Sequence, residues 1–273
     1  MATAVPPNPL EKQGYRLEFH DEFDGPELDE AKWQPWYLPQ WSSRARSKAR
    51  YRFADGALRL RIDADQPPWC PEFDGAVKCS SLQTGLFAGP VGSRIGQHRF
   101  SDRVIVREAQ PTVRTYVPRY GYFELRAKAR LGVGHLAALW TIGFEDDNPD
   151  DSGEITIMEI FGRNVTAAGT RLGHGIKRIN DPRLTQDFHE DLLPFDPADY
   201  HLYAAEWTPE GVDFYLDNRK LRTIGQSPAY PMQFMLNVYV LPETGAAVAF
   251  LPAFTIDYFR AYRPVGGYPP ART

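Results

Sequence analysis

Long apolar runs are missing from this sequence of 273 residues. Nothing approaches the ~18 consecutive apolar residues of a bilayer-spanning helix, so no membrane insertion is expected. Segments of helical length with a 3.6-residue apolar period are missing too, and no glycine-rich phosphate loop joins a strand to a helix. Those two absences argue against a helical bundle and against a doubly wound nucleotide-binding fold. An excess of one charge is also lacking. A formal charge of -4 and a pI near 5.9 give no electrostatic reason to expect nucleic acid as a partner. Cysteine is scarce, with Cys70 and Cys79 flanking the turn-like residues 71–75. The pair either closes a small disulfide loop or stays reduced and packed, and two thiols make a poor zinc site. His98, His135, His189 and His201 lack metal-ligand spacing, and no Gly-x-Ser-x-Gly elbow accompanies a serine nucleophile. Residues 1–7 carry neither a basic nor an apolar leader segment, which leaves a cytoplasmic chain or the mature form of a secreted one.

What is present points to strands. Aromatic residues make up 13% of the chain, and 24 prolines and 22 glycines punctuate it at short intervals. Residues 58–63 and 122–129 alternate apolar and polar, and residues 254–262 do the same near the end. Residues 212–216 run into Asp217-Asn218, a natural hairpin turn, and the pattern resumes at Lys220-Leu221. Residues 232–240 are apolar throughout and long enough for a buried strand. No repeat, low-complexity tract or linker interrupts this. The expectation is an all-β sandwich of two packed sheets, with residues 1–10 as an extended lead-in, 11–265 as one domain and 266–273 as a tail.

The most informative stretch is residues 153–162, Gly-Glu-Ile-Thr-Ile-Met-Glu-Ile-Phe-Gly. Ile155, Ile157, Met158, Ile160 and Phe161 make it read as a buried strand, yet it carries Glu154 and Glu159. Acidic side chains inside such a strand need a reason, because burying an unpartnered charge is costly. In a regular strand Glu154 and Thr156 share one face and Glu159 falls opposite. A β-bulge near Met158 would return Glu159 to their face, and bulges of that kind are enriched beside active sites. Two carboxylates converging on an open face are the machinery of glycoside hydrolysis, one ionised to attack and one protonated to release the leaving sugar.

Further along, Arg44, Arg46, Lys48, Arg50 and Arg52 alternate with small or aromatic residues. In an extended segment five cations would share one face, either as a plain solvated face or as a docking surface for an acidic glycan.

On these residues the chain resembles glycoside hydrolase family 16, whose signature is glutamate, aliphatic, aspartate, aliphatic, a bulge residue and glutamate. Residues 17–25 with Leu28-Asp29 and Lys32-Trp33 look like the family's opening strand and turn. Residues 55–60, 120–128 and 203–217 are similar to later strands in the same order. The resemblance implies a jelly roll of two curved antiparallel sheets with a concave glycan cleft. It implies Glu154 as nucleophile, Glu159 as general acid/base and Trp140 as a sugar-stacking ring. His174 and Asn237 fall where polar cleft residues are expected, and Asp257 where some members hold a structural calcium. No cofactor is implied for the reaction itself.

Two positions depart from that pattern. Thr156 replaces the central aspartate; its hydroxyl can donate to Glu154 but adds no charge, which should lower nearby carboxylate pKa values and favour an acid-shifted optimum. Leu136 stands where many members have a second cleft tryptophan, so Trp36 and Trp41 become candidate replacements, with Arg44 beside them. The expected function is retaining endo-hydrolysis of a β-linked polysaccharide, with β-glucan the expected substrate, by a monomer. The alternatives are a weak or silent glycan-binding protein, a transglycosylase, and a hydrolase of an acidic polysaccharide.

Overall fold

The structure, a computed structural model, describes residues 4–242 and 250–269. The alternating segments pair into two large antiparallel sheets. The larger orders its strands Arg219–Ile224, Val212–Leu216, His201–Trp207, Gly121–Arg130, Ala253–Pro264, Ala57–Arg61 and Arg50–Ala54, with Tyr15–Asp21 also paired to Ala253–Pro264. The smaller runs Val165–Thr166, Gly169–Lys177, Glu154–Phe161, His135–Gly143, Met232–Val240 and Lys78–Gln83, with Asp187–Leu193 joined to Gly169–Lys177. Strands adjacent in a sheet are often far apart in sequence because the chain crosses repeatedly between sheets, as in a jelly roll. The Asp217-Asn218 hairpin forms as expected. Both residues take positive φ, 51° and 64°, which is the backbone twist a two-residue turn requires.

Between the sheets lies one apolar core. Phe123, Leu125, Ile256 and Phe259 of the larger sheet meet Leu139, Ile155, Ile160, Phe234 and Leu236 of the smaller. The smaller sheet is covered on its other face too. There Leu136, Ala138, Trp140, Ile142, Met235 and Tyr239 pack with Tyr37, Leu38, Trp41 and Trp69 from long connections. Burial on both faces explains why His135–Gly143 and Met232–Val240 read as near-continuous apolar runs instead of alternating ones. Residues 5–10 lie across the larger sheet. The Arg126 guanidinium donates to the Val5 carbonyl at 2.7 and 3.0 Å, and Arg260 donates to the Asn8 carbonyl at 2.8 Å.

One expectation is corrected here and one open choice is decided. The five cations do not share a face, because Arg44–Ser47 forms one helical turn in place of a strand. Ser43 caps that turn by accepting from the Arg46 amide, and the Ser47 hydroxyl donates back to the Ser43 carbonyl. Arg50 and Arg52 alone of the five lie in a strand. Cys70 and Cys79 are free thiols, both buried; Cys70 donates to the Trp41 carbonyl at 3.3 Å. Asp257 Oδ2 accepts from the Arg126 guanidinium at 2.8 Å, and that cation answers its charge. Among the described residues no group of three or more His, Cys, Asp or Glu is arranged to hold a metal.

Candidate active site

The face of the smaller sheet turned away from the core carries the site. Along Glu154–Phe161 the pairing with His135–Gly143 slips by one residue: Leu139 lies opposite Met158, while Trp140 lies opposite Thr156. The residue gained is Ile157. Ile157 and Met158 both turn into the core, and Glu159 emerges on the same side as Glu154 and Thr156. The bulge expected near Met158 is therefore present, and the neighbouring strand answers it with a slip between Gly173 and Gly175.

Around the two carboxylates is a cavity of about 290 Å³ lined by Tyr37, His98, Trp140, Lys177, Ile179 and Tyr239, with Leu136 and Ala138 on its floor. The Thr156 hydroxyl donates to Glu154 Oε1 at 2.5 Å. Lys177 is the cross-strand partner of Glu154, and its ammonium touches both acids: 3.0 Å to Glu154 Oε1 and 2.8 Å to Glu159 Oε2. Those two oxygens are thus no farther apart than the two contacts laid end to end, about 5.8 Å. Burial raises the pKa of Glu159; Lys177 draws it down and Glu154 and Glu190 push it up, with a net rise. Burial works against the Lys177 ammonium, but the two carboxylates outweigh it and lift its pKa above the usual value.

Trp140 lines the cavity and is oriented from below. Its indole N–H donates to Asn237 Oδ1 at 2.6 Å, and the His98 ring sits 5.1 Å from it, centroid to centroid. Asn237 is fully buried beneath it and acts on the cavity through this bond. His98 takes a positive φ of 52° and is held by its backbone: its amide donates to Glu145 Oε1 at 2.7 Å. Burial lowers the His98 pKa, so its ring favours the neutral form. Burial also pushes the Glu145 carboxyl up to about 8, against the pull of the His98 amide.

Four residues expected in the cleft are elsewhere. His174 belongs to the core face of its strand, packed on Phe214 at 5.4 Å, because it sits out of phase with Gly173, Gly175 and Lys177. Trp41 is wholly buried, with its indole N–H on the Gln97 carbonyl at 2.9 Å. Trp36 and Arg44 stack on one another at 4.5 Å, and neither lines the cavity; the Arg44 Nε donates instead to Gln110. The aromatic stretch does reach the site, but through Tyr37, which meets Tyr239 edge-on at 5.6 Å beside Leu136. Tyr37, Tyr239, His98, Ile179 and Lys177 were not singled out from sequence. Lys177 alone had a usable signal, as a cation in phase with Gly173 and Gly175 beside it.

Residues 111–258 match the sequence profile described as Glycosyl hydrolases family 16. A β-glucanase of Acetivibrio thermocellus is 35% identical over 123 residues, covering 44% of this chain and 34% of that protein. The chain thus spans about a third of that relative's length. The solved structure of a GlcNAcα1-4Gal-releasing endo-β-galactosidase from Clostridium perfringens superposes with a TM-score of 0.87 at 38% identity, over 98% of this chain and 67% of that one. A laminarinase from Flavobacterium sp. UMI-01, at 20% identity, TM-score 0.65 and coverage of 91% and 100%, shares the fold.

Proposed function

The chain belongs to glycosyl hydrolase family 16, and on that premise we propose that it cleaves internal β-glycosidic bonds by double displacement. Glu154 is the nucleophile: a carboxylate oxygen bonds to the anomeric carbon as the bond to the leaving oxygen breaks. Glu159 gives its proton to that oxygen. In the second half Glu159 takes a proton from water, the hydroxide attacks the anomeric carbon, and Glu154 leaves as a carboxylate.

The observation that carries this reading is the bulge that brings both acids to one cavity within a single ammonium's reach. A separation of at most about 5.8 Å between the bridged oxygens falls short of the roughly 6.5–9.5 Å that an inverting pair needs to admit water, and so favours retention. Burial keeps Glu159 available as an acid. Trp140 offers the apolar face of a sugar a ring to pack on.

For the substrate, the likeness to the endo-β-galactosidase extends over nearly the whole chain and favours a β-galactoside within a larger glycan. The β-glucanase likenesses, over less than half of the chain, support β-glucan as the second reading. A reducing-end assay on barley β-glucan, laminarin and galactose-bearing mucin glycans separates the two. Glu154→Gln and Glu159→Gln should each lower the rate on the cleaved glycan at least about a hundredfold with an unchanged circular dichroism spectrum. Full activity in either variant, or no new ends from any glycan, would overturn the assignment.

A further inference from the structure

Lys177 is placed as no surface lysine would be. It faces Glu154 across the strand pair, and its ammonium lies 4.6 Å from the centre of the Phe188 ring. The two positions between it and Arg171 on that face of its strand are Gly173 and Gly175. A Cβ at Gly173 would lie 3.1 Å from the Glu159 Cβ, and one at Gly175 would strike the Asp187 carbonyl at 2.3 Å. Lys177 is therefore the side chain this strand presents to the carboxylates, and its side chain is only 21% exposed.

Charge balance gives that placement a meaning. With Glu154 ionised, Glu159 protonated and Lys177 charged, the three groups sum to zero. Once Glu154 is an ester and Glu159 has given up its proton, the sum is again zero. The cation needed in both states is the same one, and it already touches both acids.

We infer that Lys177 is a positioning residue that serves as a shared counter-ion, pairing with Glu154 before attack and passing to Glu159 in the glycosyl-enzyme. This rests on the roles proposed for the two glutamates. Thr156 makes the handover workable, because an aspartate there would hold the ammonium in both halves of the reaction. The groups facing Glu159 are Lys177 from Gly169–Lys177, Glu154 on its own strand and Glu190 from Asp187–Leu193; His98 faces Glu154 and Lys177 from its loop. In the free protein, burial raises the Glu159 pKa and Lys177 opposes the rise while Glu154 divides its attention.

The test is a ¹³C-carboxylate NMR titration of Glu159, which needs no substrate. Glu154→Gln reproduces the charge of the ester and should lower the Glu159 pKa. Adding Lys177→Met to that variant should raise it by about 1–3 units, the range for an opposite charge at such distances. Equal Glu159 titrations with and without Lys177 in the Glu154→Gln background would overturn the inference. A kinetic arm uses whichever panel glycan the wild type cleaves. Lys177→Met should turn over slowly after an initial burst and show a sugar adduct by intact mass, while Lys177→Arg restores turnover. Slow turnover with neither adduct nor altered titration would reduce Lys177 to packing. Should no panel glycan be cleaved, the proposed function fails by itself, and the titration still decides what Lys177 does to Glu159.

Discussion

At Thr156 the strand that bears both glutamates departs from the pattern it resembles. A threonine was expected to leave the neighbouring acid less readily protonated, because a like charge is lost. The structure supplies a counterweight, since burial, the largest influence on Glu159, acts upward. Thr156→Asp restores the like charge beside both glutamates, so the Glu159 pKa should rise further. As the acid then keeps its proton to higher pH, the alkaline limb of kcat/KM should move upward by about one unit, visible in a pH–rate profile. A limb that stays in place would mean that Glu159 does not set it. Glu154 and Glu159 were legible because charge inside an apolar strand demands explanation. His174 was misplaced because phase, not sequence distance from the glutamates, decides its face: one residue out of step with Lys177 sends it to the core.

The element that makes the site is the strand Glu154–Phe161, and its decisive feature is one surplus residue. Ile157 and Met158 occupy consecutive inward positions, which a regular strand forbids. Deleting Ile157 should straighten the strand and leave Glu159 four positions after Glu154, on the same face but without the re-aiming the bulge gives its side chain. Loss of turnover and a lowered urea midpoint are expected together, the latter because the core loses the Ile157 side chain. An active deletion variant would show that the bulge is dispensable. Elements of this kind were readable: the run 254–262 and the bulge follow from period-2 patterning, the run 232–240 from its length and near-continuous apolar character, and the Asp217-Asn218 turn from its residue types. Residues 44–47 were not, because alternation of charge suggested a strand, while Ser43 and Ser47 close a helical turn through local hydrogen bonds.

Over the whole molecule, the jelly roll was legible from the succession of short strands and turns, whereas the wall of the cavity was not. Tyr37, His98 and Ile179 come from three connections, and no local pattern says which loop folds over which face. Their placement is settled by long-range contacts, such as Gln97 side-chain and carbonyl bonds to Gln233, Gln40 and Trp41, that anchor the loop bearing His98. The contact from the His98 amide to Glu145 is one of these, and it ties folding to proton concentration. The folded state holds the Glu145 proton up to about pH 8, whereas its ordinary value is 4.5. Folding therefore takes up a proton between those limits. The stability from this site is complete below about pH 4.5 and is lost as pH rises towards 8. Glu145→Gln keeps an acceptor for the His98 amide but cannot titrate, so its denaturation midpoint should fall less steeply than the wild type's across that window. Parallel midpoint curves for the two proteins would show that the carboxyl does not couple to folding.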